Sequence, residues 1–303
     1  MSCTKVFYAL GTENSITTQE NCAAVLDKVI GRVAEIENKM SAFKASSEIS
    51  IIAANAGKRP VAVSDEVYKV LELALKISRS SGGAFDITVR PLTKLWAFGM
   101  GKNTVPKSSK IASAKNFVGY DSIELDSKNN TVFLKKAGTK LDLGGIAKGY
   151  AADEAKRLLT ENGVKRALIN FGGNVFALGS SFDGAPWKIG IQNPLSVRGE
   201  TVLSIELSDK TVVTSAVNER FFIKGGRRYH HILNPLTGQP ASSGLLSVSV
   251  IAESSMLADA LSTAAFVLGA KDGVKLVRSY GAEAIFITDS GDILSSFEIS
   301  HAA

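Results

Sequence analysis

Helical periodicity and strand-like runs are distributed unevenly along this chain, and that unevenness limits what it can fold into. From Glu20 to Met40 the apolar residues Val25, Leu26, Val29, Val33, Ile36 and Met40 recur at helical spacing, which predicts a long amphipathic helix lying on a sheet. A second such helix follows Ser64, with Val67, Val70, Leu71, Ala74 and Ile77 on one face, and stops at Ser80-Ser81-Gly82-Gly83. Val6 to Thr17 reads as strands broken at Gly11. The second half is crowded with short strand-like runs: Ala167 to Phe171, Val175 to Leu178, Trp187 to Ile191, Val202 to Leu207, Phe221 to Lys224, Tyr229 to Leu233 and Leu246 to Ile251. Only a helix from about Ser255 to Leu268 interrupts them, and a last hairpin turns at Ser290-Gly291. Regular βαβ alternation is absent and no internal repeat occurs, so the expected class is α+β with a mixed sheet. Residues 1–303 are expected to form a single domain, with the Lys-rich stretch 101–113 as a mobile insertion or lobe connection.

Charge narrows the function. The chain of 303 residues carries 35 Lys+Arg against 29 Asp+Glu, a net +6, which suits an anionic ligand. These charges are spread along the sequence without interleaved aromatics, so no nucleic-acid partner is expected. The densest basic stretch, Lys224 to Arg228, reads as a charged hairpin turn. Two cysteines, Cys3 and Cys22, support neither a disulfide framework nor a thiolate zinc site. No run of eighteen apolar residues and no secretory leader is seen, so stable membrane insertion is not expected. The expected location is cytoplasmic; the alternative is a lipoprotein trimmed at a lipid-bearing cysteine near Cys3 and held outside the cytoplasm.

Common enzyme signatures are missing: no G-x-S-x-G, no G-x-x-x-x-G-K-[ST], no H-E-x-x-H and no complete G-x-G-x-x-G. Four glycine-bracketed or polar segments remain. Gly82-Gly83-Ala84-Phe85-Asp86 reads either as a loop that stacks a flat ring and accepts its hydrogen bond, or as a helix stop leading into a strand. In Asp142 to Tyr150, Lys140 to Leu143 looks like a strand end, Gly144-Gly145 a turn and Ile146 to Leu159 a helix closed by Asn162-Gly163. A glycine turn at a helix N-terminus with Lys148 in its first turn suits a diphosphate, although Asp142 can equally cap the helix. Asp259 and Thr263, four apart on a helix among Met256, Leu257, Ala260, Leu261 and Ala264, put a carboxylate and a hydroxyl on one face, where they can share a hard cation. His230 and His231 are adjacent on a strand and point to opposite faces, so at most one joins an inward site; a structural role is the other reading.

These segments, in this order, resemble the FAD:protein FMN transferases, the flavinyltransferases also called the ApbE family. The match includes Leu10-Gly11-Thr12, Ser41 to Ser50, Gly82 to Pro91 with Leu95-Trp96, Asp142 to Asp153, Asn170 to Asn174, Thr211 to Phe222, His231 to Gly238 and Asp259 to Thr263. The resemblance implies a compact α+β protein with FAD in a cleft between two closely joined lobes. It implies a Mg²⁺-dependent transfer of the FMN half of FAD to a Thr or Ser hydroxyl of an acceptor flavoprotein, with release of AMP. By motif position it places Leu10, Phe43, Ala84, Phe85, Asp86, Asp142, Lys148 and Leu233 at FAD. It assigns Mg²⁺ to the Gly145 carbonyl, Asp259 and Thr263, with Ser262 adjacent, and a catalytic role to His231 alongside Asp259. Many relatives carry Asp where Asn234 stands. Respiratory pump subunits and soluble reductases are the acceptors the resemblance suggests. Hydrolysis of FAD to FMN and AMP by the same site, or flavin carriage without catalysis, are the alternatives.

Overall fold

A computed structural model of the chain describes residues 2–19, 22–101, 103–197 and 199–298; Glu20 and Lys102 lie outside them. Its frame is an eight-stranded sheet. Numbering every element in chain order, the sheet runs β1 (Cys3–Ala9), β2 (Thr12–Thr18), β6 (Ala167–Phe171), β7 (Asn174–Leu178), β10 (Lys210–Ala216), β13 (Leu245–Ala252), β14 (Glu283–Thr288) and β15 (Ile293–Ser295). A three-stranded sheet holds β3 (Val61–Ala62), β5 (Thr131–Leu134) and β4 (Ile123–Asp126). Two ribbons complete the strands, β8 (Trp187–Gln192) with β9 (Thr201–Leu207) and β11 (Phe221–Lys224) with β12 (Arg227–His230). The helices are α1 (Ala23–Met40), α2 (Glu48–Ala54), α3 (Asp65–Ser80), α4 (Arg90–Trp96), α5 (Ser108–Lys115), α6 (Ala147–Glu161), α7 (Ser255–Leu268) and α8 (Ala270–Ser279).

The α+β class holds, but every strand pairing among the described residues is antiparallel, where a mixed sheet was expected. For the hairpin pairs such as β1–β2 and β6–β7 the cause is the connection, since short turns reverse chain direction. Alternation along the strands gives the main sheet two apolar faces. Ile16, Ile169, Phe171, Phe176, Val213, Val250 and Phe286 face one way, into a core shared with Leu26 and Val33 of α1, Ala151 of α6 and Leu261 of α7. That core continues without interruption to Val132 and Leu134 of the small sheet. The opposite face, with Val212, Ile251, Ile285 and Ile287, is covered by Trp187, Ile189, Ile205 and Leu207 of the β8–β9 ribbon.

Other expectations shift. Lys140 to Leu143 is irregular rather than a strand end, because Asp142 N–H is taken by Ile87 O (2.7 Å) and its side chain by the loop after it. The 229–233 strand instead spans Arg227–His230, and Leu233 makes an isolated bridge to Pro240. Within 101–113 the chain forms the start of α5, whose Ile111 is buried with Leu92, Trp96, Phe222 and Leu233. β10 was not anticipated as a strand at all, although it lies centrally between β7 and β13.

α6 and α7 are fastened at their N-termini to each other. Asp153 of α6 accepts from Ser255 N–H (2.7 Å), Met256 N–H (3.0 Å) and Ser254 Oγ–H (2.8 Å), capping α7. Asp259 of α7 accepts from Gly149 N–H (3.0 Å) in the first turn of α6. The helices approach so closely that a Cβ on Gly149 would lie 2.1 Å from Ser255 O. An ion network fixes α6 from its other side: Arg32 of α1 pairs with Glu66 of α3 and Glu154 of α6, and Lys39 with Glu66. Burial raises the Glu66 carboxyl, but hydrogen bonds from Arg32 and Lys39 outweigh it and leave the group below its ordinary range.

Candidate active site

The reciprocal caps bring a lysine and a carboxylate together at the start of α6. Lys148 Nζ donates to Asp259 Oδ1 (3.4 Å) and to Gly144 O (3.3 Å), while Asp259 is only 3% exposed. Next to this pair, a Cβ built on Gly145 would meet Thr263 Oγ1 and Phe85 Cε2, both at 3.2 Å, so the turn, the α7 hydroxyl and the aromatic ring converge. Ser215, near the end of β10, reaches Ser262 Oγ (2.9 Å) and Thr263 Oγ1 (3.2 Å) and links the central sheet to this corner. Four N–H groups at the helix start are already satisfied inside the protein: Gly144 by Asp142, Ile146 and Ala147 by Leu143 O, and Gly149 by Asp259. The anion-binding weight at this helix start therefore shifts from a backbone cradle toward the Lys148 side chain.

A second group surrounds Asp142. Its Oδ1 accepts from Gly144 N–H (3.1 Å), and its Oδ2 accepts from Thr93 Oγ1 (2.7 Å) and faces Arg90 Nη1 at 3.5 Å. The Arg90 guanidinium lies 4.1 Å from the centre of the Phe43 ring, which is 71% exposed. Phe43, Arg90, Thr93 and Asp142 thus form one contiguous wall.

The third group centres on His231. Its N–H donates to Arg220 O (3.0 Å), and Arg220 Nη2 donates to Gly11 O (3.2 Å), next to Leu10 in a left-handed turn at φ 55°. Burial, reinforced by the Arg220 charge and with a smaller contribution from Lys148, pushes the His231 imidazole down to about 3, so it is neutral near pH 7. Its Nδ1 is buried without a hydrogen-bond partner among the described residues. His230 turns the other way: its Nε2 meets Ala241 O (3.0 Å) and its ring lies edge-on to Phe266 at 5.5 Å.

The remaining expected residues, Ala84, Asp86 and Leu233, are all buried. Asp86 is buried with both oxygens used, Oδ1 by Thr88 N–H and Oγ1–H and Oδ2 by Tyr120 N–H (2.9 Å); burial raises its carboxyl above the ordinary range. Ala84 and Leu233 are buried, Leu233 beside Phe222 and Trp96. A cavity of about 470 Å³ lined by Tyr68, Glu72, Arg79, Tyr120 and Lys135 lies behind this loop and contains none of the expected residues. Arg90, Thr93, Ser215 and Arg220 are the site residues that sequence reasoning did not single out. Arg90 and Arg220 sat inside segments already marked, and their charge was the available signal.

The ApbE family model matches residues 10–286, a span that contains all three groups. The chain belongs to the ApbE family. An FAD:protein FMN transferase of Treponema pallidum is 37% identical over 278 residues, covering 87% of this chain and 77% of that protein. The crystal structure of the ApbE protein of Thermotoga maritima superposes with a TM-score of 0.89 at 35% identity, covering 98% of this chain and 97% of the other. A flavin transferase ApbE from Vibrio cholerae gives a TM-score of 0.87 at 27% identity, with 98% and 97% covered. In this ApbE-family chain, the α6 start, the α7 acid and the His231 turn are the conjunction that these comparisons accompany.

The oxygen donors fit a small hard cation. Among the described residues no cluster of three or more His, Cys, Asp or Glu exists, which leaves Asp259 as the charged donor beside the Thr263 hydroxyl and the Gly145 turn. That sparse all-oxygen set suits Mg²⁺, which is commonly held by one or two carboxylates together with phosphate oxygens of the substrate.

Proposed function

We propose that this protein moves the FMN half of FAD onto a Thr or Ser hydroxyl of an acceptor protein and releases AMP. The observation that carries this reading is the Lys148–Asp259 pair at the α6 start, beside the Gly145 turn and the Thr263 hydroxyl. The names of the relatives support it.

In the proposed step the acceptor oxygen forms a bond to the FMN-side phosphorus. The bond from that phosphorus to the bridging oxygen breaks, and its electron pair leaves on the AMP phosphate. The hydroxyl proton passes to His231, which is free to accept because it is neutral. Burial makes His231 a weak base, and a loose transition state asks little of one, so the proton moves only as the new phosphorus–oxygen bond completes. Lys148 holds the diphosphate and offsets charge on the leaving phosphate. The exposed Phe43 offers a face for the flavin or adenine ring, with Asp142, Thr93 and Arg90 fixing the wall beside it, while Phe85 is buried in the core against the Gly145 turn. Asp259, Thr263 and the Gly145 carbonyl would hold Mg²⁺, which supplies charge neutralisation on the diphosphate oxygens.

The acceptor belongs to the class of flavin-bearing respiratory subunits or soluble reductases in this reading. Incubation with FAD, Mg²⁺ and such an acceptor should give flavin that stays with the acceptor on a denaturing gel and adds the mass of FMN. Release of free FMN and AMP without acceptor labelling would instead identify a hydrolase.

A further inference from the structure

The β11–β12 ribbon rises from the third group, and its residues from Phe221 to Tyr229 are used by none of the three. Its base is the Arg220–His231 pair, closed by the 3.0 Å bond from His231 N–H to Arg220 O. β11 and β12 pair with each other and with no other strand among the described residues. One face is anchored: Phe222 and Tyr229 stack at 5.2 Å and continue into Phe98 and Trp96 at 5.5 and 5.9 Å. The register puts Phe221 and Ile223 on the other face, 40% and 63% exposed, with Arg228 opposite Ile223 and its guanidinium 4.7 Å from the Phe221 ring centre. Lys224 and Arg227 form the pair next to the Gly225-Gly226 turn. From Phe221 to His230 there are three cations and no carboxylate.

We propose that this ribbon docks the acceptor protein, taking an extended acidic segment as an added strand with the segment's hydroxyl at the ribbon base beside His231. The inference rests on the transfer reading given above. Four strand residues reach about 13 Å from base to tip, enough to fix the register of a segment whose reactive residue sits at one end. Strand addition supplies main-chain hydrogen bonds whatever the acceptor sequence, while alternate side chains supply selectivity. Here the selecting groups are an apolar pair and three cations, complementary to a segment with acidic flanks. A second copy of the chain is the poorer occupant, because two such ribbons would set cations against cations.

The test uses two synthetic peptides that share one Thr in a background of Gly, Ala and Val, flanked by Asp in one and by Lys in the other. Each is incubated with FAD, Mg²⁺ and the wild-type protein, the Lys224→Glu/Arg228→Glu double variant or Ile223→Thr, and the FMN-peptide mass is followed in time. FAD binding is titrated by fluorescence in parallel. The wild type should modify the Asp peptide at least about tenfold faster in kcat/KM, the charge-reversed variant should lose or invert that preference, and Ile223→Thr should raise KM for the peptide. All three proteins should bind FAD alike. Equal rates on the two peptides, an unchanged preference in the charge-reversed variant, or no adduct on either peptide from a protein that binds FAD would each overturn the docking proposal. A wild-type protein that fails to bind FAD would overturn the transfer reading itself.

Discussion

Asp259 performs two structural tasks with its two oxygens, receiving Lys148 on one and the α6 backbone on the other, and it is the charged donor in the Mg²⁺ site proposed above. Replacing it therefore separates charge from shape. Asp259→Asn keeps the acceptor for Gly149 N–H and should retain the fold while abolishing Mg²⁺-dependent transfer; Asp259→Ala should do the same with added loss of stability. Wild-type rates with either variant would remove Asp259 from the site. The two histidines divide along the same line. His230 is buried against Phe266, so His230→Ala should lower Tm while sparing transfer below the transition, whereas His231→Ala should cut transfer with a smaller effect on Tm. A thermal melt and a transfer assay on both variants decide between these assignments. Lys148→Met should weaken FAD far more than riboflavin, which lacks phosphate, and added salt should narrow the gap from wild type by screening. Equal loss of both ligands would mean that Lys148 does not serve the diphosphate.

At the scale of elements, the site depends on how α6 and α7 meet. Each helix supplies the carboxylate that caps the other, and the contact is close enough to require glycine at 149. Gly149→Ala should force the helices apart, because the obstructing atom is the backbone carbonyl of Ser255 and cannot swing away as a side chain could. The expected cost is at least the ~1–3 kcal/mol typical of overpacking, read as a lower urea midpoint, with weaker FAD binding because Lys148 and Asp259 move with their helices. Unchanged stability and binding would show that the helices adjust without consequence. The marked segments 82–91 and 142–153 were legible in sequence as glycine-rich turns beside helices. Their meeting with 259–263 came only through the family resemblance, since nothing local to α6 specifies α7 as its partner.

For the whole molecule, acid is the informative variable. Burial pushes His230 down to about 4 and His231 to about 3 from the ordinary 6.5. Well above pH 6.5 neither state is protonated at these rings, and no stability difference arises from them. Below it the unfolded chain takes up protons that the folded chain refuses, so stability falls with pH until the folded values are reached. Each histidine contributes up to about 1.4 kcal/mol per pH unit in that window. Asp86 and Asp153 act in the opposite sense, because burial raises their folded values and makes the folded state the better proton binder as pH falls through them. Urea unfolding from pH 7 to 5 should show falling stability, and His230→Gln should flatten the slope. Identical slopes in wild type and variant would mean that His230 titrates alike in the folded and unfolded chain.

The sequence by itself determined the elements whose signal is local. α7 was read with its observed ends, β6 and β11 likewise, and the two amphipathic helices were read from a periodicity that depends only on neighbours three and four residues away. β10 escaped because Lys-Thr-Val-Val-Thr-Ser-Ala has too many hydroxyls to look central; its Thr211 and Ser215 are accommodated only because Val175 O, Ser255, Ser262 and Thr263 accept or share their hydrogen bonds. The chemistry divides in the same way. Which residue types could serve a flavin diphosphate was readable along the chain. That Arg220 stands beside His231, that Arg90 spans Phe43 and Asp142, and that Asp86 spends its oxygens on Thr88 and Tyr120 were decided by tertiary structure. The contacts of Arg90 with Phe43 and Asp142 and of Asp86 with Tyr120 join residues far apart in sequence, and no local pattern encodes a distance that only the packed core fixes.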